Sequence, residues 1–289
     1  MLRNCYKQDD IFVCRHEAHR GFAYQVSAYH VLREKACFPR GCVDFRWRCL
    51  RLERGQTCDR GLKHVGRPCG SCRHFRDEKI HRYPELRVSE EEYHAFLDEC
   101  RRFDEWLEDH VGQRLEVGGR VTEIRPHLVK TVDGRRQSLR LRGFLLRLDP
   151  GYMGRDGFRD GIYLHISGPQ QDRARVAAGD SVDALGVIRF DRGRLVADSI
   201  RRLRVEERSG EEPARWNRAL LDQAGAVQVP GQAERCLRCE RGLLIDIEDL
   251  EVRDRRGPRR EMLCLEGIGR PEDCPYEALR ALQGGRPID

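Results

Sequence analysis

The residues best placed to do chemistry in this chain are cysteines. In Cys236-Leu-Arg-Cys239-Glu-Arg-Gly242, two thiols are separated by two residues and followed by a glycine. Such a knuckle aims both thiolates at one centre while backbone N–H groups donate to the sulfurs. A tetrahedral Zn²⁺ needs two more ligands, and Cys264 and Cys274 follow, with two expected strands between the pairs. The N-terminal region holds Cys37, Cys42, Cys49, Cys58, Cys69 and Cys72. Cys69-Gly-Ser-Cys72, after Pro68, is a second knuckle, and Cys37-Phe-Pro-Arg-Gly-Cys42 a looser one. Cys49, Cys58, Cys69 and Cys72 are the expected ligands of one site. Cys5, Cys14, His16 and His19 lie upstream and could complete another around Cys37 and Cys42. Four thiolates also hold iron–sulfur clusters, the alternative cofactor. Zinc is preferred because no compact multi-cysteine ferredoxin spacing occurs. The odd total of 13 cysteines and an N-terminus without an apolar signal-peptide core argue against a secreted disulfide framework. Cys100, on the apolar face of an expected helix, reads as a small buried hydrophobe.

The second set of candidates is basic and aromatic. Single-stranded nucleic acid is held by cations along its backbone and by aromatic rings against its bases. Arg120, Arg125, Lys130, Arg140 and Arg142 are the expected phosphate contacts. The hairpin Phe190-Asp-Arg192-Gly-Arg194 carries both chemistries within five residues. Phe144, Tyr152, Phe158 and Tyr163 are further aromatic candidates, Phe144 reading more readily as core. Along Ile162–Ile166 the aliphatic residues alternate, which turns Tyr163 and His165 away from the core.

The elements that must position these groups follow from periodicity. Ser89 and Glu92 form a capping box. Tyr93, Phe96, Leu97, Cys100, Phe103 and Leu107 then recur on one helical stripe, so residues 89–110 are an expected helix. Leu115–Ile124, His127–Val132, Gln137–Leu148, Gly161–Ser167, Ser181–Phe190 and Arg194–Val205 alternate as strands, with Asp133-Gly134 a strong hairpin turn. Pro169–Gly179 reads as a short helix or turn, and Phe22–Leu32 as a strand in an otherwise core-poor N-terminal region. Glu211–Ala224 is an expected helix, and Leu243–Ile247 and Glu261–Leu265 are expected strands. The organisation is therefore a Cys-rich metal-binding region (1–88), a connecting amphipathic helix (89–112), a strand-rich domain (113–208), a helix and linker (209–231) and a small C-terminal metal module (232–289). Charge follows it. The chain is +6 overall. Residues 1–88 carry +9 (19 basic, 10 acidic) and 111–208 carry +7 (20 and 13), either side of a helix at −7. Basic blocks are the footprint of a polyanionic partner.

Leu115–Ile124, Gly179-Asp180-Ser-Val-Asp-Ala-Leu-Gly-Val-Ile188 and the closing Leu195-Val-Ala-Asp-Ser-Ile200 resemble the strands of an OB fold, over about residues 113–208. The segment from Cys236 resembles a zinc ribbon with an irregular second half. The resemblance implies a mainly β fold with a central OB-type β-barrel that binds single-stranded DNA or RNA. The zinc sites on its flanks would be coordinatively closed and structural.

No phosphate loop, dinucleotide glycine motif, nucleophile elbow or His-Glu-x-x-His helix occurs in the sequence, so an enzyme is not expected. Cys14-Arg-His16-Glu-Ala-His19 reads as structural. No apolar run approaches a membrane span, and a cytoplasmic protein is expected. A protein-interaction subunit of a larger complex and an iron–sulfur redox or sensing protein are the alternatives.

Overall fold

The computed structural model describes the whole chain except residues 23, 135, 214–224, 230–235, 237–238, 240, 250–258, 271–272 and 276–289. It divides into two compact units, Gln8–Tyr93 and Met1–Lys7 with His94–Asp289. Mostly antiparallel strands dominate.

In the Gln8–Tyr93 unit, β1 (Phe12–Val13), β2 (Gln25–Val26) and β5 (Glu85–Leu86) form a small antiparallel sheet. A two-stranded ribbon pairs β3 (Cys42–Cys49) with β4 (Phe75–Arg82), and α1 (Leu50–Glu53) follows β3. Phe12 is fully buried and packs on Phe38 and Tyr93, at ring-centroid distances of 5.2 and 6.0 Å. The strand expected over Phe22–Leu32 is realised only as β2. Tyr24 takes a left-handed φ of 64°, which breaks extension before β2. After β2 the Ser27 hydroxyl accepts the His30 N–H (3.3 Å), and the chain turns into a single π-helical turn over His30–Glu34.

Helix α2 spans Glu90–His110 and opens on the expected box. The Ser89 N–H donates to Glu92 Oε2 (2.8 Å), and the Glu92 N–H donates to Ser89 Oγ (3.2 Å). Phe96, Cys100, Phe103, Trp106 and Leu107 are its buried residues. Cys100 departs from expectation. It is joined to Cys5 by a disulfide, their Cα atoms 5.4 Å apart across a sequence separation of 95. The periodicity that marked Cys100 as buried is local, whereas its partner comes from a distant segment.

The second unit is built on one sheet. Its strands are β6 (Arg114–Asp133), β7 (Arg136–Met153), β8 (Asp156–Phe158), β9 (Ile162–Ile166), β10 (Ser181–Asp191), β11 (Arg194–Glu207), β12 (Val227–Val229), β13 (Gly242–Asp249) and β14 (Arg259–Cys264), with α3 (Gly168–Ala174) after β9. Five strands close on themselves in the order β6-β10-β11-β9-β7, with β7 pairing back to β6. Only β11–β9 is parallel within this ring. Its interior is aliphatic, with Val117, Val121, Leu146, Leu148, Leu164, Ile166, Ile188 and Ala197 fully buried. Closing long strands over a small interior demands close backbone approach at two glycines. Gly119 has φ +146° and a Cβ there would lie 2.2 Å from Pro150 O; Gly143 has φ +153° and a Cβ would lie 2.1 Å from Ile166 O. Ser167 caps α3 with a capping box to Gln170. β13 runs parallel to the end of β6, and β12, β14 and β13 form a ribbon whose core is Leu128, Leu243, Ile245, Leu263 and Leu265. The helix expected over Glu211–Ala224 falls almost wholly on 214–224, outside the described residues.

Candidate functional site

The alternation along β9 decides the site. Ile162, Leu164 and Ile166 point inward and are buried, so Tyr163 and His165 face the other way. Tyr163 lines a cavity of about 310 Å³. Its walls come from β6 (Glu123, Arg125, His127), β7 (Arg147), β11 (Arg194), β13 (Asp246) and β14 (Arg260). Sequence reading named Arg125, Tyr163 and Arg194, and the fold brings these together. It missed Arg147, Arg260 and His127, which arrive from strands far apart in the chain.

The cavity is crowded with cations. Lys7 Nζ lies 4.5 Å from the Tyr163 ring centroid and Arg194 Cζ 5.7 Å from it. Burial, then Arg147 and Arg194, pull the Lys7 ammonium down to about 8. Burial, then Arg192, lowers Arg260. Carboxylates offset part of this charge. Arg147 pairs with Asp149 (3.0 Å), Arg194 with Asp191 (2.8 Å), Arg125 with Glu123, and both Arg192 and Arg260 with Asp246.

Behind the cavity runs a hydrogen-bonded chain. His127 Nδ1 is 3.1 Å from His165 Nε2, and His165 Nδ1 is 3.2 Å from Asp198 Oδ1. Burial, then the neighbouring His165, pull His127 down to about 4. Burial pushes Asp198 up, but the Ser199 N–H and His165 outweigh it and leave the carboxyl below its ordinary value. In the tautomer where His165 Nδ1–H donates to Asp198, His165 Nε2 is an acceptor. His127 Nδ1–H then donates to His165 Nε2, and His127 Nε2 is left as an acceptor.

The other expected contacts lie elsewhere. Arg120 and Arg140 are exposed on β6 and β7. Arg142 pairs with Glu248 (2.9 Å), and Lys130 with Glu261 (2.7 Å), both partners in the latter pair largely buried. Arg192 is mostly buried against Asp246. Phe190 packs on Tyr6 and Phe103, at centroid distances of 5.6 and 5.9 Å. That packing places its ring in a tertiary cluster rather than on an open platform. Phe144 and Phe158 are core residues, and the Tyr152 hydroxyl donates to Asp183 Oδ1 (2.9 Å).

The cysteines gather in three places. Cys49, Cys58, Cys69 and Cys72 all line one small void of about 20 Å³, together with Leu52, Val65 and Phe75. The Cys72 N–H donates to Cys69 O (2.8 Å), closing the knuckle turn. Cys37 and Cys42 lie beside Cys14; burial, then Cys14 and Cys37, push the Cys42 thiol up to about 11. Of the other residues that could have completed this site, Cys5 is taken by its disulfide. In the C-terminal ribbon, the Cys239 N–H bonds to Cys236 O (3.3 Å) and the Gly242 N–H to Cys239 O (3.0 Å). Gly242 lies opposite Cys264, and a Cβ on it would strike Cys236 O, so the knuckle packs on the strand pair beside Cys264. Cys274 is half-buried. Among the described residues, no group of three or more Cys, His, Asp or Glu side chains stands arranged to hold a metal ion as it is. The lining of the first void also includes Arg60, Leu62 and His64, and its four thiols are donors of the type that a structural zinc site takes.

Exposed aromatics on the β3–β4 ribbon escaped sequence reading. Phe45 and Trp47 share one face and are 58% and 47% exposed, with Lys79 Nζ 5.8 Å from the Phe45 ring. No described helix is long and apolar enough to cross a membrane. Fold and cavity together describe a mainly β protein with a closed strand ring and a cationic cleft on its flank. Comparison with protein-family models, curated proteins and solved structures returns no match.

Proposed function

We propose that this protein binds single-stranded nucleic acid on an OB-type barrel formed by β6, β7, β9, β10 and β11. Strand order supports the barrel reading: consecutive strands pair except that the third lies parallel to the fifth, and a helix bridges the third and fourth. The observation that carries the function is the cavity, where Arg125, Arg147, Arg194 and Arg260 converge beside Tyr163. A guanidinium fork suits phosphate oxygens, and cations gathered in one partly exposed cleft gain when an anion arrives.

Zinc is the proposed metal. Cys49, Cys58, Cys69 and Cys72 would hold one ion, and Cys236, Cys239 and Cys264 with Cys274 another. Such closed sites would fix the loops that carry their cysteines. Cys37, Cys42 and Cys14 supply three donors to a further site. The exposed Phe45–Trp47 stripe favours a second reading, a docking surface for another protein.

Hydrogen–deuterium exchange of the full chain with and without a short single strand tests the first reading. Protection is expected in peptides covering Glu123–Leu128, Tyr163 and Arg194. Protection confined to other segments sinks it.

A further inference from the structure

The lining of the cavity is chemically lopsided. Its four arginines are donors only. The two lining carboxylates are already held, Glu123 by Arg125 and Asp246 by Arg192 and Arg260. His127 differs. Its Nδ1 is engaged by His165, which in turn meets Asp198, so Nε2 is the ring nitrogen left for a ligand; in the tautomer where His165 Nδ1–H donates to Asp198, that Nε2 is an acceptor. A ligand that satisfies this lining must carry negative oxygens for the arginines and, close by, one hydroxyl or N–H donor for His127. A ribonucleotide carries both, since its 2′-hydroxyl sits one carbon from the 3′-phosphate; a deoxynucleotide lacks that donor. The volume of about 310 Å³ matches one nucleotide unit rather than a duplex.

Resting on the strand-binding reading above, we propose that the cavity seats one nucleotide of an RNA strand. Its phosphate meets the arginines and its ribose 2′-hydroxyl donates to His127 Nε2, so that the protein selects RNA over DNA. A buried acceptor left without a donor is costly, and that cost falls on DNA. Burial keeps His127 uncharged near neutrality, which preserves the acceptor.

The test uses the full chain and three labelled strands of one sequence, about 12 nucleotides long. One is RNA, one DNA and one RNA with 2′-fluoro groups, which keep a ribose-like pucker but cannot donate. RNA is expected to bind roughly tenfold tighter than the other two, and His127→Leu, which removes the acceptor, is expected to erase the difference between RNA and DNA. Equal affinity for RNA and DNA overturns the inference and leaves strand binding standing. RNA and 2′-fluoro RNA binding alike, both above DNA, overturns the role of His127, because sugar shape would then carry the preference. No binding of any strand at low salt overturns both readings.

Discussion

If a strand lies across the cavity, its salt dependence should count the arginines there. Arg125, Arg147, Arg194 and Arg260 line the cavity. If each neutralises one phosphate of a single strand, log K should fall against log[salt] with a slope of about −2.8. Between about 50 and 200 mM salt, that is a loss of roughly 50-fold in affinity. Replacing Arg147 and Arg194 by glutamine removes two contacts, which should flatten the slope to about −1.4 and the loss to roughly sevenfold. Glutamine is chosen over glutamate because each arginine pairs with a carboxylate, Asp149 and Asp191. A new carboxylate there would add repulsion and confound the reading. Anisotropy titrations across the salt range give the slopes, and thermal melts check that the double variant is folded. An unchanged slope in a folded double variant would refute the assignment of the strand to this cavity.

Metal content gives a second set of outcomes. The purified chain is expected to carry zinc, and Cys72→Ser and Cys239→Ser should each lower it by one equivalent by elemental analysis; unchanged content removes that site, and a visible absorption band would point instead to an iron–sulfur cluster. Asp180 gives a stability test. It is fully buried and accepts hydrogen bonds from the N–H groups of Ala177 (2.9 Å) and Ser209 (2.8 Å), with Arg208 alongside. Burial pushes its carboxyl up, but those hydrogen bonds outweigh it and hold the group below its ordinary value. Its contribution is therefore full above the unfolded carboxyl value near pH 4 and is lost as pH falls through the lower folded value. Asp180→Ala should cost roughly 3 kcal/mol in chemical denaturation at neutral pH. It should also flatten the acid limb of the stability curve; an unaltered limb contradicts the account.

What the sequence discloses here is what local periodicity can encode. The helix after Ser89 and strands β9, β10 and β11 lie within a few residues of where capping and alternation place them, whereas the two strands expected over Leu115–Ile124 and His127–Val132 run on as the single β6, β7 continues to Met153, and β8 is not among the expected strands. The chain reverses from β6 to β7 just where Asp133-Gly134 signals a hairpin, with Asp133 itself still paired to Arg136. What stays hidden is pairing across distance. Lys130 and Arg192 read as available cations because nothing near them in sequence announces Glu261 or Asp246, 131 and 54 residues away. Phe190 reads as a platform until Tyr6 and Phe103 cover it. The His127–His165 bond spans 38 residues and needs the β6–β7–β9 register to exist. Phe22–Leu32 fails for a local reason, a left-handed residue and a serine cap that alternation does not weigh.

The carboxylates in the cavity bear on how it would choose a ligand. A bare cluster of arginines would hold any anion, including those of the buffer. Here each arginine already has an acidic partner, so an incoming phosphate must better an existing ion pair, and a lone exchange at a half-exposed pair gains little. A strand has several phosphates on one backbone, and once one is seated the next is presented at high effective concentration. A site built of pre-paired arginines thus discriminates against small anions and in favour of a polyanion. Asp246, partly buried and shared between Arg192 and Arg260, holds the cavity's Arg260 and the neighbouring Arg192 in place. Asp246→Asn should therefore loosen both guanidinium groups and raise the affinity for free inorganic phosphate relative to a strand. A competition titration against phosphate reads this ratio, and a ratio unmoved from that of the parent chain would show that the pairing plays no part in selection.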